Sequence, residues 1–241
     1  MCVAYFQILE SASLWGTFFM PVLDFEANHY FYYSLIYSQK TIAMAWNKYY
    51  IVITNQTEKD HQLVKDKLGL DDYKEKGAAY FGDTNKSDDL FIGYYEDKLI
   101  IADPDLPLSL FSENASITEQ KFIAAFPDCE IAALVENSTV GEFGYAIIVN
   151  GQRIRAKHGC DGEIYIDIGN ELPEEQTILS GNIFDAEEIE EMREYMDEEE
   201  IKNAIAFEAS WRTPGDLSAR YFGMNIEELP EHAIKMIHYK K

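Results

Sequence analysis

The run of residues from Cys129 to Leu179 constrains the fold of this chain more than any other part of the sequence. Four strand-like runs in it are separated by short groups of turn-forming residues. The sharpest separator is Asn150-Gly151. An Asn-Gly pair between two alternating runs predicts a β-hairpin, because a type I′ turn needs positive φ at both central residues. With Gly159 and Asp161-Gly162 as the next turn, the run predicts an antiparallel meander at the core of a sheet.

The N-terminal half adds shorter strands and two helices to this meander. Strands are predicted over 49–54 and 78–81, and a hairpin over 90–95 and 98–102. Thr57 is the expected N-cap of a helix through Leu68, with Gly69 as its C-terminal stop. A capping box at Ser116 predicts a second helix, which Phe126 ends before Pro127.

After Leu179 the apolar period changes from 2 to 3.6, which indicates helices. Asp185 and Asp197 each begin a capping box and predict two helices. Thr213-Pro214 is typical of an N-cap with proline at the first helical position, and predicts a short separate helix that ends at Gly223. The fold class is therefore α+β: a mostly antiparallel sheet with flanking helices and an acidic helical C-terminal part.

The formal net charge of −23 narrows the classes of partner. Binding to a nucleic acid backbone or to an anionic membrane depends on Lys and Arg, so both partners are disfavoured and a basic protein is favoured.

Three cysteines without a C-x-x-C pair form no disulfide framework and predict a cytoplasmic location. Signature motifs of nucleophilic hydrolases, P-loop NTPases, dinucleotide-binding proteins and zinc proteases are missing from the sequence, so we expect a non-enzymatic protein without a cofactor.

The acidity is concentrated near the C-terminus. Residues 171–231 hold 18 Asp/Glu and 4 Lys/Arg, a net charge of −14. The helix after Asp185 places Ile189, Met192 and Met196 inward. Its outward positions hold the candidate partner-binding residues Glu187, Glu190, Glu191 and Glu194. These acids either form a solvated face or attract a basic partner, and the interaction module is the leading functional hypothesis.

A second hypothesis is a small-molecule hydrolase or ligand-binding domain with a pocket at the sheet edge. Its candidate residues are Arg153, Arg155 and His158, which follow one another along a single predicted strand. His158 also begins a short run of metal-capable side chains that includes Cys160 and Glu163. A zinc site draws three or four ligands from spaced positions, so this run predicts an ordinary turn and no metal site.

The run GEFGYAIIVNGQRIRAKHGCDGEIYIDIGNELPEE resembles the central meander of an uncharacterised bacterial protein family of unknown function, and the C-terminal SARYFGMNIEELP is similar to the same family. The resemblance covers about residues 46–230. It implies an α+β cytoplasmic bacterial protein and supplies no catalytic or binding residues.

Residues 1–43 differ sharply in composition from the remainder. They hold eleven aromatic residues and no Lys or Arg before Lys40, which is unlike a signal peptide, and acidic residues interrupt any apolar run of membrane-spanning length. Either this segment is an aromatic extension packed on the domain, or the natural start is Met44. The predicted organisation is an aromatic N-terminal extension over 1–43, which is non-native if the natural start is Met44, and a single α+β domain over 44–241.

We expect a fragment of residues 44–241 to fold without the extension, because the first predicted strand begins beyond Met44. Thermal melting of the fragment and of the full chain tests this expectation. A cooperative transition in the fragment supports the boundary, whereas aggregation or a lost transition shows that the aromatic residues belong to the core.

Overall fold

The computed structural model describes residues 47–57, 59–84, 88–230 and 232–241. These residues belong to the second of the two units into which the chain divides, Met1–Ala43 and Met44–Lys241. Both alternatives for residues 1–43 concern a segment outside the described residues, and they stay predictions.

The described residues form one nine-stranded antiparallel sheet, which confirms the α+β fold class. Its strands are β1 Asn47–Ile53, β2 Lys74–Tyr80, β3 Asp89–Tyr95, β4 Lys98–Ala102, β5 Glu130–Asn137, β6 Glu142–Val149, β7 Gln152–Cys160, β8 Glu163–Gly169 and β9 Lys235–Lys240. Their order across the sheet is β2-β9-β3-β4-β1-β5-β6-β7-β8, so the meander from β5 to β8 makes up one side of the sheet.

The described residues also form six α-helices. They are α1 His61–Leu68, α2 Asp105–Leu108, α3 Ile117–Ala125, α4 Pro173–Ser180, α5 Ala186–Met192 and α6 Glu198–Phe222. Short 3-10 turns occur at Phe81–Asp83 and Ile226–Glu228.

Apolar helix faces cover both faces of the sheet. On β1, Ile51 and Ile53 belong to a core cluster with side chains of α1 and α3, whereas Tyr50 and Val52 belong to a second cluster with side chains of α6. Successive strand residues point to opposite faces, so a strand covered on both sides needs apolar residues at consecutive positions. This requirement explains the uninterrupted apolar run YYIVI of β1.

The predicted hairpin turns are confirmed, with one correction. Asn150 and Gly151 have φ of 50° and 74°, as a type I′ turn between β6 and β7 requires. Asp161 and Gly162 repeat this pattern between β7 and β8, with φ of 54° and 86°. Gly159 does not contribute to the turn: it lies within β7, where a Cβ would come 2.4 Å from the Glu163 carbonyl oxygen and collide with the Phe143 ring.

The expectation of a short helix beginning at Thr213-Pro214 is wrong. The capping box of Asp197 and Glu200 begins α6, which runs through Pro214 to a left-handed C-cap at Gly223. The Thr213 hydroxyl donates to the Ala209 carbonyl oxygen at 2.9 Å, so Thr213 bonds to the preceding turn instead of capping a new helix. Proline removes one N–H from the helix but does not end it where packing holds both sides in place.

One helix boundary and one whole strand also differ from the sequence predictions. The N-cap of α1 is Asp60, whose carboxylate accepts from the N–H groups of Gln62 and Leu63, and not Thr57. β9 was not predicted, and it lies between β2 and β3, which are far from it in the chain.

We expect Gly151→Val to lower the free energy of unfolding by roughly 1–3 kcal/mol, because a β-branched residue is strained at positive φ. A Cβ at this position would also lie 3.2 Å from a methyl carbon of Ile123. Gly181→Val is the matched control, since Gly181 has φ −84° and ψ 173°, which valine adopts readily. Equal denaturant midpoints for the two variants would contradict the type I′ assignment.

Candidate functional site

The four acidic candidates lie on α5 and in the turn that follows it. Glu187, Glu190, Glu191 and Glu194 are all exposed, and Met192 is buried on the opposite side of the helix. Arg193 pairs with Glu190 at 3.1 Å and with Glu198 at 3.1 Å. The structure thus places the four carboxylates on one exposed stretch, and their use by a partner stays a prediction.

The structure does not bring Arg153, Arg155 and His158 together in one pocket. Ile147 pairs with Arg155 while Ile148 pairs with Arg153, so Ile154 is an extra residue and β7 contains a β-bulge. A bulge reverses the alternation of side chains. Arg153 therefore lies on the α3 side of the sheet, where it pairs with Glu119 at 3.2 Å, and Arg155 lies on the α4 side.

Arg155 is the centre of a buried ionic network between the sheet and α4. Its side chain is 1% exposed and forms two parallel hydrogen bonds with Glu175: Nε to Oε2 at 2.8 Å and Nη2 to Oε1 at 2.7 Å. Its Nη1 donates to Asp167 at 2.6 Å, and the Tyr145 hydroxyl donates to Glu175 at 2.7 Å. A bidentate pair of this kind is geometrically specific and holds α4 in one position on the sheet.

The network shifts the pKa values of its members in opposite directions. Burial alone would raise the pKa of Glu175, but hydrogen bonds from Arg155, from the Leu172 N–H and from Tyr145 lower it overall. Burial alone would lower the pKa of Arg155, and its hydrogen bonds to Glu175 and Asp167 raise it overall. Burial, followed by the charge of Glu175, raises the pKa of Tyr145. The network is therefore fully charged at neutral pH, with Tyr145 as a neutral donor.

His158 belongs to a separate polar chain on the α3 side of the sheet. Its Nε2 lies 3.1 Å from Oε1 of Glu142, whose Oε2 accepts from the Tyr49 hydroxyl at 2.6 Å. The Asn137 amide donates to the Tyr49 hydroxyl at 2.7 Å, and the His158 ring stacks on Phe111. Each polar group in the chain thus has a partner, which is the arrangement expected of a stabilising network in a protein interior.

The described part of the chain contains a cleft away from both sets of candidates. Its volume is about 480 Å³, within the range typical of ligand sites. We call it the α4–α6 cleft. It lies at the end of β5, with α4 and α6 on its sides and the Ile226–Glu228 turn as a further wall, and its lining residues are Glu136, Ser138, Thr177, Ile178, Gly181, Asn182, Trp211, Arg212, Gly215, Asp216, Asn225 and Glu227.

Three carboxylates and one guanidinium group define the charge of the α4–α6 cleft. Partial withdrawal from water, with repulsion from Glu174, raises the pKa of Asp216, and Arg212 offsets this only in part. Partial withdrawal from water also raises the pKa of Glu227. Shifted pKa values inside a concave site are a physical indication of function, although ion networks that only stabilise the fold shift them too.

The cleft was not predictable from local sequence patterns because its residues come from four separate segments of the chain. Glu136 is the penultimate residue of a strand that was predicted, but Asp216 lies in the stretch that was assigned to a separate short helix, and Glu227 follows it. A continuous helix across Thr213-Pro214 would have placed Trp211, Arg212 and Asp216 within about one and a half turns of each other. The helical spacing of these three residues was the available signal.

Comparison with protein-family models, with curated proteins and with solved structures finds no match. Among the residues that the structure describes, no group of three or more His, Cys, Asp or Glu side chains is arranged to hold a metal ion. Within the same residues, every helix is too short or too polar to cross a membrane.

We expect Glu175→Gln to lower the free energy of unfolding by about 3 kcal/mol at pH 7, because Arg155 would lose its bidentate partner in a buried site. Glu174→Gln is the matched control. The Glu174 carboxylate, next to Glu175 in the chain, binds Arg220 at 2.7 Å in a partly exposed ion pair. Such a pair is worth about 1 kcal/mol or less.

The effect of Glu175→Gln also has a predicted pH dependence. The pKa of Glu175 is lowered in the folded state, so its contribution is complete above the unfolded pKa of about 4.3 and is lost as the pH falls through the folded value. Denaturant titrations at pH 7 and pH 3 measure this change. A difference between wild type and variant that stays constant over this range would refute the charged pair.

Proposed function

We propose that this protein is a binding module that attracts a basic protein through the acidic surface of α5 and the first turn of α6. We define the acidic surface by its exposed glutamates, Glu187, Glu190, Glu191, Glu194, Glu198 and Glu199. The observation that carries the proposal is charge: residues 185–200 contain ten Asp/Glu and a single base, Arg193.

Only part of this acidity has a role in the fold. Asp185 and Glu188 form one capping box and Asp197 and Glu200 form another, so these four carboxylates satisfy N–H groups at the helix starts. By contrast, Glu187, Glu191, Glu194 and Glu199 make no ion pair with another described residue. Like charges one helical turn apart cost about 0.2–0.5 kcal/mol per pair, so these acids oppose the local fold.

The physical effect of such a surface is long-range attraction. An exposed cluster of one sign raises the rate at which an oppositely charged partner associates, and salt screens the effect within about 8–10 Å. The formal net charge of −23 extends the field beyond the helix and disfavours nucleic acid as the partner.

A second candidate function, a ligand-binding domain or a small-molecule hydrolase, is favoured by one observation, the α4–α6 cleft. The cleft differs in place from the sheet-edge pocket of Arg153, Arg155 and His158 that the sequence analysis put forward. Its lining is polar and acidic, so ligand binding is the better supported form of this alternative.

Replacing Glu187, Glu190, Glu191 and Glu194 with Gln should leave folding intact and slow the association of the basic partner about tenfold or more at low salt. The partner is captured from native lysate on the full chain, purified, and mixed with each variant in stopped-flow measurements over a salt series. The wild-type rate should fall steeply with salt, and the rate of the variant should depend on salt only weakly.

A matched control removes the same number of charges from exposed positions elsewhere, by Asp71→Asn, Asp72→Asn, Glu163→Gln and Glu171→Gln. This control should retain most of the wild-type association rate. Equal slowing in both quadruple variants would assign the effect to net charge and contradict a localised surface. An unchanged rate in the first variant would show that the acidic surface is only solvated.

A further inference from the structure

The α4–α6 cleft has an excess of negative charge. Its lining contains the carboxylates of Glu136, Asp216 and Glu227 and the single guanidinium group of Arg212. That guanidinium is already engaged outside the lining, because its Nε donates to Glu208 at 2.7 Å and Nη2 donates to the Ile183 carbonyl oxygen at 3.4 Å. Arg212 therefore offsets the charge of Asp216 only in part.

At Gly215, two side chains that line the cleft lie close to the backbone of α6. A Cβ at this position would lie 2.6 Å from Nδ2 of Asn225 and 3.4 Å from Oε1 of Glu136. The missing side chain therefore allows an amide and a nearly buried carboxylate to rest on the helix backbone. Asn225 is held in turn, because its Oδ1 accepts from the Glu227 N–H at 3.0 Å.

A buried tyrosine of β1 lies within electrostatic reach of two carboxylates that line the cleft. Tyr50 is 0% exposed, and its hydroxyl interacts with the Ser218 side chain of α6 at a geometry looser than that of an ordinary hydrogen bond. Its ring belongs to the core cluster on the α6 side, and the charges of Glu136 and Glu227 both act on the hydroxyl.

The lining excludes several classes of ligand. Three carboxylates repel an anion, and the mostly polar wall does not match a purely apolar ligand. The described carboxylates are not grouped as the ligands of a metal ion, which need to converge within about 2.0–2.6 Å of one point. A cation whose charge is spread over several N–H groups suits acceptors on different elements, here Asp216 of α6 and Glu227 of the turn after it, and the half-buried Trp211 adds an aromatic ring to the same lining.

We propose that the α4–α6 cleft binds an alkyl guanidinium group, with Asp216 and Glu227 as its carboxylate acceptors and Trp211 as its aromatic contact. The group is supplied either by a free small molecule or by an arginine side chain of a basic protein. This inference rests on the second candidate function and does not depend on the acidic surface of α5 and α6.

Binding is measured by calorimetry on the full chain with three probes. Agmatine represents the free cation, acetyl-Gly-Arg-Gly-amide represents an arginine in a protein, and the same peptide with citrulline is the uncharged isostere. The chain contains three tryptophans, so 5-fluorotryptophan labelling with assignment by Trp211→Phe reports contact in the cleft itself. We expect saturable binding of a guanidinium probe, a shifted Trp211 resonance, and at least about tenfold weaker binding of the citrulline peptide.

The variant pair separates this site from general charge effects. Neither Asp216 nor Glu227 makes an ion pair with a described residue, so Asp216→Asn with Glu227→Gln should keep the fold and weaken guanidinium binding about tenfold or more. Asp128→Asn with Glu163→Gln removes equal charge from exposed positions and should change the affinity less than about twofold. The quadruple variant of the acidic surface should likewise bind agmatine almost as wild type does.

Tighter binding of agmatine than of the peptide assigns the cleft to a free small molecule, and the reverse assigns it to a protein arginine. Three results would overturn the proposal: no saturation by either guanidinium probe below about 10 mM, equal affinity for the citrulline peptide, or undiminished binding in the Asp216/Glu227 variant. The two proposals can fail separately. If the acidic-surface variant loses association with the partner but still binds guanidinium, the two sites are independent of each other.

Discussion

Arg155 carries a full charge into the space between the sheet and α4, and two parallel hydrogen bonds to Glu175 compensate it there. A charge withdrawn from water is tolerated only when its donors are paired with good geometry, so α4 has little freedom to move relative to β7. The position of α4 then decides the position of its C-terminal end. Thr177 and Ile178 form one side of the α4–α6 cleft, which makes the shape of the cleft dependent on this ion pair.

Sequence patterns predicted the parts of this fold that are decided by neighbouring residues. The Asn150-Gly151 turn was predictable because its requirement, positive φ at two consecutive positions, is met by local chemistry. The capping boxes at Asp185 and Asp197 were predictable for the same reason, since donor and acceptor lie three residues apart. The fold class followed from these local signals together with the change of apolar period after Leu179.

Other parts depend on contacts that the sequence does not display. Thr213-Pro214 is compatible with a helix start and with a helix interior. The apolar face of α6 packs on the sheet on both sides of this pair, and this packing keeps the helix continuous. The bulge at Ile154 moved Arg155 away from Arg153, although a regular strand would have kept them on one face. The candidate site shows the same limit: the four exposed glutamates could be located from their period, whereas Glu136, Asp216 and Glu227 become neighbours only in the folded chain.

The place of β9 in the sheet has a consequence for the order in which the sheet is completed. β2 has β9 as its neighbour in the sheet, and the paired residues of these strands are more than 150 positions apart in the chain. The meander from β5 to β8 closes through one four-residue connection and two two-residue turns, and it has to overcome far less chain entropy. Both pairings of β9, with β2 and with β3, are of this distant kind, and distant pairings slow folding, so we expect the β2-β9-β3 end of the sheet to form after the meander. The two ends of one continuous sheet therefore differ in the sequence separation of their paired strands. The meander pairs strands that are neighbours in the chain, whereas the other end is complete only when β9 has paired with β2 and β3.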